Sequence, residues 1–402
     1  MTKRKTVVGQ LRGATRLAIE ATRQVTDVVE SMHHTIAGGP GLLGRPLEAV
    51  AKLLTAPAYG TARGVTHLVG ASLDTALAQL ETVLHHAGAD SGPLLAALNG
   101  VVGDHLAATG NPLAIEMQLI SRGERLELTP EALRASFPAG SRLLIMVHGS
   151  SVDETAWRRK GHDHGEALAT ARGFVPLSLR YNSGLHISQN GRDFAAMLER
   201  LVSVWPRPVE EIVLLTHSMG GLVARSACLV AEVEGQQWRR KLRALVTLGT
   251  PHHGAPLERG GNWFEALLGI SRYSAPLARL GRLRSAGITD LRYGNVLDEH
   301  WHGKDRFARA ADPRGPVSLP AGVACFTIAG TTARVLSDKL PMDGMVPVDS
   351  ALGRHHNPAL ALGFAESHQW IALDTNHLDL LSSPAVYARL LEWLPGTGSA
   401  RD

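Results

Sequence analysis

The segment EIVLLTHSMGGLVARSA (211–227) sets one serine, Ser218, between a short apolar run and a helix-like stretch, with Gly220 and Gly221 just behind it. A serine hydroxyl is a poor nucleophile alone. It needs an exposed seat on a tight turn, an imidazole to take its proton, and amide donors for the oxyanion that forms. Strand, serine and helix in this order make a nucleophile elbow. Such a turn closes when the residues two before and two after the serine are small. Here they are Thr216 and Gly220, and the β-branched threonine departs from the usual glycine. An ordinary strand–helix junction with a surface serine has the same pattern, so the partners decide.

Those partners follow in the order acid, then histidine, one of the chain orders in which a Ser-acid-His triad occurs. RALVTLGTPHHGAP (243–256) reads as the next buried strand and its exit loop, and GVACFTIAGTT (322–332) as another. Asp343 then opens DGMVPVDSA, and the short run WIALD (370–374) leads to Asn376, His377 and Leu378. Asp343 and His377 thus lie just past the carboxyl ends of two successive strands, on the edge where open α/β sheets build their ligand sites. Asp343 is chosen over Asp338, Asp349 and Asp374 for its post-strand loop and following glycine. His377 is chosen over His368, which belongs to the last strand, and over His252 and His253, which are placed to line the site. His217 is read as packing, turned away from the oxyanion side. Met219 supplies one oxyanion amide by position and Ser150, in the VHGSS loop after the strand SRLLIMV, supplies the other, with Ser151 its near competitor.

Ser, Asp and His account for the reaction, so neither cofactor nor metal is expected. The pairs His162/His164 and His300/His302 lack further ligands at structural-zinc spacing. There is no phosphate loop of the G-x-x-x-x-G-K-[ST] kind.

From residue 141 onward, apolar runs alternate with helical patterns: SRLLIMVHG, GHDHGEALATARG, FVPLSLRYNS, NGRDFAAMLERLVSVW. That alternation predicts an α/β domain with a mostly parallel central sheet over 141–397. Residues 255–318 interrupt it with an insertion long enough for a lid or pocket wall. Residues 1–110 read as a helical region, with an apolar stripe at three- and four-residue steps from Val8 to Met32, and 111–140 as a connector. This region is a cap, a docking domain or a membrane-surface element. With 44% hydrophobic and 19% charged residues the chain is core-forming rather than disordered. A net charge of only +4 and no aromatic-interleaved basic stretch argue against a nucleic-acid partner. Cys228 and Cys325 read as small buried hydrophobes. The start, MTKRKTVVGQ, is basic but lacks the apolar core of a secretory signal, so a cytoplasmic location is expected, with peripheral membrane association through the N-terminal helices as the variant of it.

Taken together, VHGSS, THSMGG, LGTPHHGAP, DGMVP and NHLDL resemble the α/β-hydrolase superfamily, over about residues 140–395. Within it they are similar to the lipase-like branch that includes bacterial triacylglycerol lipases and GPI-inositol-deacylase-like proteins. The resemblance implies an α/β-hydrolase fold, Ser218 as nucleophile, Asp343 as acid, His377 as base, and Ser150 and Met219 at the oxyanion hole. It implies an ester or lipid-like substrate. It also offers Asp379, two residues after the histidine, as a place for structural calcium. The expected function is a serine-dependent carboxylic ester hydrolase, esterase or lipase. The alternatives are a thioesterase or acyltransferase on the same triad, or a non-catalytic lipid- or partner-binding protein on that scaffold.

Overall fold

The computed structural model of the chain describes residues 92–138, 140–255, 285–304, 312 and 314–396. The helices expected within 1–91, and most of the 255–318 insertion (256–284, 305–311 and 313), lie outside the described residues. The chain forms two compact units, residues 1–91 with 108–113 and residues 92–107 with 114–402. The second carries the sheet.

Helix α1 (Gly92–Ala108) leads into β1 (Gln118–Ser121) and β2 (Glu124–Arg125). These two strands form a hairpin whose two-residue turn, Arg122 and Gly123, has positive φ at both positions (51° and 87°), the primed geometry that matches strand twist. After α2 (Pro130–Ser136) the alternation runs β3 (Arg142–Val147), α3 (His164–Arg172), β4 (Val175–Arg180), α4 (Ile187–Val204), β5 (Glu211–His217), α5 (Met219–Glu234), α6 (Gln237–Lys241), β6 (Leu242–Leu248). It continues through α7 (Ala286–Asp290), β7 (Ala324–Gly330), α8 (Val348–Ala351), β8 (Gln369–Ala372) and α9 (Pro384–Trp393). Helix ends follow local chemistry. Asp163 caps α3 by accepting from the amides of Gly165 and Glu166, and Gly173 stops it at φ 73°.

The sheet order is β2-β1-β4-β3-β5-β6-β7-β8. β1 pairs antiparallel with β2 and β4; every pairing from β4 across to β8 is parallel. This is the mostly parallel sheet of an α/β-hydrolase fold. The hairpin lies in the stretch read from sequence as a connector and extends the sheet by two strands. β8 begins at Gln369, so His368 closes the turn before it rather than sitting within the strand.

Why the sheet is covered on both faces can be read from β3 and β5. Their period-two alternation sends Leu143, Ile145, Val147, Ile212 and Leu214 to one face, where Phe194 of α4 and Val223 of α5 pack. Leu144, Met146, Val213 and Leu215 go to the other, with Leu168 of α3 and Leu390 of α9. Each fully buried side chain of this size stabilises by roughly 2 kcal/mol. The result places β5 between β3 and β6 in the middle of the sheet. Whatever follows it is flanked by two neighbouring strand ends.

Helix α1, assigned from sequence to the N-terminal region, packs on this unit along residues 92–107. Asn182 donates to the Gly103 carbonyl at 2.9 Å and Ser285 to that of Gly100 at 2.6 Å. A Cβ on either glycine would collide with Asn182 or Ser151, so the close approach needs glycine at both places. Residues 285–304, the longest described stretch of the insertion, are docked as well. Asp290 accepts from the Ile187 amide at 2.9 Å and from Asn295 at 3.0 Å. The lid reading falls on the rest of the insertion.

Candidate active site

Ser218 follows the last residue of β5 and precedes the first of α5, with φ 53° and ψ −124°. A non-glycine residue held there stores about 1–3 kcal/mol, and only its surroundings keep it so. Its amide donates to the Leu248 carbonyl of β6 at 2.9 Å and its carbonyl accepts from Gly221 at 3.1 Å. A Cβ on Gly220 would strike the carbonyls of Val147 and His148, so the turn crosses the end of β3 too closely for any side chain. Thr216 is accommodated differently. It is fully buried, and its hydroxyl donates to the Val246 carbonyl at 3.0 Å, which satisfies it within the sheet.

Asp343 and His377 come together. His377 Nδ1 lies 2.7 Å from Asp343 Oδ2, and the His377 amide donates to the Asp343 carbonyl at 2.9 Å. The other carboxylate oxygen accepts from the amides of Met345 (2.9 Å) and Val346 (2.7 Å). A carboxylate so held accepts the Nδ1 hydrogen, which leaves Nε2 as the basic nitrogen. Nε2 is buried and has no hydrogen-bond partner among the described residues. It and Ser218 line one cavity of about 270 Å³, counted with the solvent at its mouth, whose walls include Val152, Ala156, Met345 and Leu381. The serine and the imidazole therefore share the cavity without being hydrogen-bonded to each other.

Gly149 and Ser150 line the same cavity. The Ser151 amide is taken by the Ser183 hydroxyl at 2.9 Å, whereas the Ser150 amide has no partner among the described residues. Met219 is the first residue of α5, so its N–H is one of the unpaired donors of a helix start. The loop is braced from behind. Tyr181 donates to the His148 carbonyl at 2.9 Å, and its ring stacks on the His148 imidazole with centroids 4.4 Å apart. At the end of β4 Arg180 pairs with Glu154, and just past it Asn182 holds α1, so both brace the loop rather than line the cavity.

His217 differs from the sequence reading. It lines the cavity, and its Nε2 donates to the His377 carbonyl at 2.9 Å. The two rings lie 4.6 Å apart. Burial and the neighbouring His377 lower its pKa well below the ordinary 6.5, so it stays neutral and keeps its single hydrogen for that bond. Its place directly before Ser218 was the one signal in the sequence. His252 and His253 line a different cavity, with Arg225. Asp379 is occupied by protein cations: Lys160 Nζ lies 2.7 Å away and Arg159 3.8 Å, with Asn376 Nδ2 at 2.6 Å. An ammonium thus fills the place the calcium reading would use, and no cluster of metal-ligating side chains occurs among the described residues. Cys228 and Cys325 are both free and buried.

Such an arrangement can do acyl transfer. It offers a hydroxyl on a strained turn, a buried base with an oriented ring, and two amide donors beside an apolar wall.

Residues 193–313, less than a third of the chain, match the family described as PGAP1-like alpha/beta domain. That stretch includes Ser218 and Met219 and ends before Asp343. No curated protein matches the sequence. Among solved structures the chain is similar to the mature lipase BlEst2 of Bacillus licheniformis, at 18% identity over 64% of this chain and 93% of that one, with TM-score 0.41. It is similar to the esterase Pf2001 of Pyrococcus furiosus at 15% identity, covering 64% and 81% of the two chains, TM-score 0.37. It is also similar to the phospholipase PlaB of Legionella pneumophila at 18% identity, covering 53% and 46%, TM-score 0.34. The α/β-hydrolase fold itself is read from the strand order and the elbow described above.

Proposed function

We propose that this chain is a serine-dependent carboxylic ester hydrolase acting on esters with an apolar, lipid-like acyl part. The observation that carries the reading is Ser218 on its strained turn, in one cavity with the unpartnered Nε2 of an imidazole whose Nδ1 is bonded to Asp343 at 2.7 Å. In the proposed sequence His377 Nε2 takes the Ser218 proton while Oγ attacks the ester carbonyl, and the amides of Ser150 and Met219 hold the resulting oxyanion. The imidazolium returns that proton to the departing alcohol as the C–O bond breaks, leaving an acyl-serine. Water then repeats the steps, its proton passing through His377 to regenerate the serine. The Asp343 carboxylate orients the ring and stabilises its positive form. The apolar side chains of Val152, Ala156, Met345 and Leu381 favour an acyl chain over a polar group.

A fluorophosphonate probe tests the nucleophile. Labelling of the wild type and none of Ser218→Ala is expected; equal labelling of both removes Ser218 from the role. A panel of p-nitrophenyl esters from acetate to palmitate tests the acyl part, with kcat/KM expected to rise beyond the short chains. A strict acetate preference sinks the lipid-like substrate. The proposal sets the protein in the cytoplasm with residues 1–91 as its contact with membrane surfaces, and no helix among the described residues is long and apolar enough to cross a membrane. Flotation with anionic vesicles, lost on deleting 1–91, is the expected result.

A further inference from the structure

Two turns beyond Ser218 on α5, Arg225 points into the protein and is only 4% exposed. One terminal nitrogen donates to the Val317 carbonyl at 3.0 Å, the other meets His252 Nδ1 at 3.4 Å, and Nε has no partner. A cavity of about 250 Å³, counted with the solvent at its mouth, opens beside it, and Arg314, His253 and His300 join its lining. None of these residues lines the cavity of Ser218.

Hydrogen-bond direction makes this lining rich in donors. Arg225 gives a hydrogen to His252 Nδ1, Arg314 gives one to His253 Nδ1 at 3.3 Å, and the Val296 amide gives one to His300 Nδ1 at 3.2 Å. In all three rings Nδ1 is thus the acceptor, and the hydrogen of the neutral ring sits on Nε2. His252 spends its own on Thr247 Oγ1 at 3.4 Å. Those of His253 and His300 add to the unspent Nε–H of Arg225. Acceptors are scarce by comparison. Among the described residues Asp312 is the one carboxylate ion-paired within the group, and Arg314 already holds it at 2.7 and 2.9 Å. Two guanidiniums against one carboxylate leave positive charge in a buried place, which is costly unless an anion answers it.

We infer that this cavity binds a tetrahedral oxyanion, phosphate or a phosphomonoester, at a site separate from the acyl cavity. The unspent donors come from three places in the chain, α5, the loop after β6 and the turn at His300, while Arg314, its N–H groups bonded to Asp312, His253 and the His252 and Gly294 carbonyls, adds charge. A phosphate dianion offers two charges and several acceptor oxygens to this excess of guanidinium charge and N–H donors, where a carboxylate offers a single charge. The groups' acidities agree. Burial and Arg314 pull the pKa of Arg225 down to about 10, and burial chiefly, with Arg314, lowers His253 and His300 to about 4. At neutral pH the rings donate without adding charge, so the guanidiniums carry the attraction. The site needs neither Ser218 nor His377 and stands independently of ester hydrolysis.

Inorganic phosphate titrated into the full chain at constant ionic strength should raise Tm saturably and give a binding isotherm by calorimetry, while acetate and chloride do neither. Arg225→Gln should abolish the response. Removing a buried arginine can unfold a protein, so His253→Ala, at a half-buried ring, is the second variant. It should weaken phosphate binding about tenfold, the loss expected of one hydrogen bond to a charged group, with Tm in phosphate-free buffer little changed. Equal affinity for glycerol phosphate and inorganic phosphate identifies the phosphate group as the ligand; tighter binding of glycerol phosphate identifies a phosphomonoester. No saturable response, an equal response to acetate, or wild-type affinity in His253→Ala overturns the inference.

Discussion

The two cavities treat charge in opposite ways, although one helix, α5, leads out of Ser218 and carries Arg225 two turns later. Around Ser218 the charge-bearing pair is His377 with Asp343, closed at 2.7 Å, and much of the remaining wall is apolar. Among the described residues, two guanidiniums and three imidazoles line the cavity at Arg225, and Asp312 is ion-paired to Arg314 beside it. The first cavity holds its one carboxylate on the imidazole and two backbone amides, and the answering positive charge arises only when the imidazole takes the serine proton. The second is out of balance at rest. A site of the first kind suits turnover of a neutral ester, and one of the second kind suits holding an anion. What separates them is the pairing of the charges rather than their number.

The largest expected effect breaks the comparison outright if it fails. Ser218→Ala should lower kcat for p-nitrophenyl butyrate by about 10⁴- to 10⁶-fold, while the phosphate-dependent rise in Tm persists. Hydrolysis surviving in that variant would mean that chemistry resides elsewhere. Next, Asp343→Asn should cost about 10⁴-fold in kcat with KM little changed; a loss confined to KM would make Asp343 a structural residue. A smaller loss, roughly ten- to a hundredfold in kcat, is expected for Gly149→Ala, whose added Cβ would sit 3.0 Å from Ser218 Cβ and 3.2 Å from His217 Nδ1.

Acid sharpens the contrast from the other side. His253 and His300 titrate near pH 4 in the folded chain against the ordinary 6.5. Between those values the unfolded chain binds protons that the folded one does not. Stability should therefore fall as pH drops from about 6.5 to 4 and level off below. Thermal melting across that range should show a shallower decline in His253→Ala; an unchanged slope would place the acid sensitivity elsewhere. The smallest effect is the most discriminating. His253→Ala should leave ester hydrolysis at the wild-type rate, and a large loss would join the two cavities into one functional unit.

Much of the first cavity was legible in the chain, and little of the second. β3, β5 and β6 announce themselves as unbroken apolar runs because a parallel sheet buried on both faces demands them. Ser218, Gly220 and Met219 lie within three residues of one another, so the local pattern already describes the turn that shapes them. Residues 118–125 were read as connector because short, partly exposed strands carry no such run. His217 was read as packing since its bond to the His377 carbonyl spans 160 positions. Arg225 in a helix and Arg314 in a loop look like ordinary surface cations until folding turns both inward.

By itself, the order of residues determined the layering of strands and helices, the sharp bend at Ser218, and which strand ends would carry an acid and a histidine. Only the tertiary structure decided that Asp343 and His377 meet at 2.7 Å, that Lys160 pairs with Asp379, and that Arg225 and Arg314 line one cavity. Periodicity and turn chemistry act over a few neighbouring residues, so they can be read along the chain. Charge pairing depends on distances between remote segments, and those exist only once the core has packed.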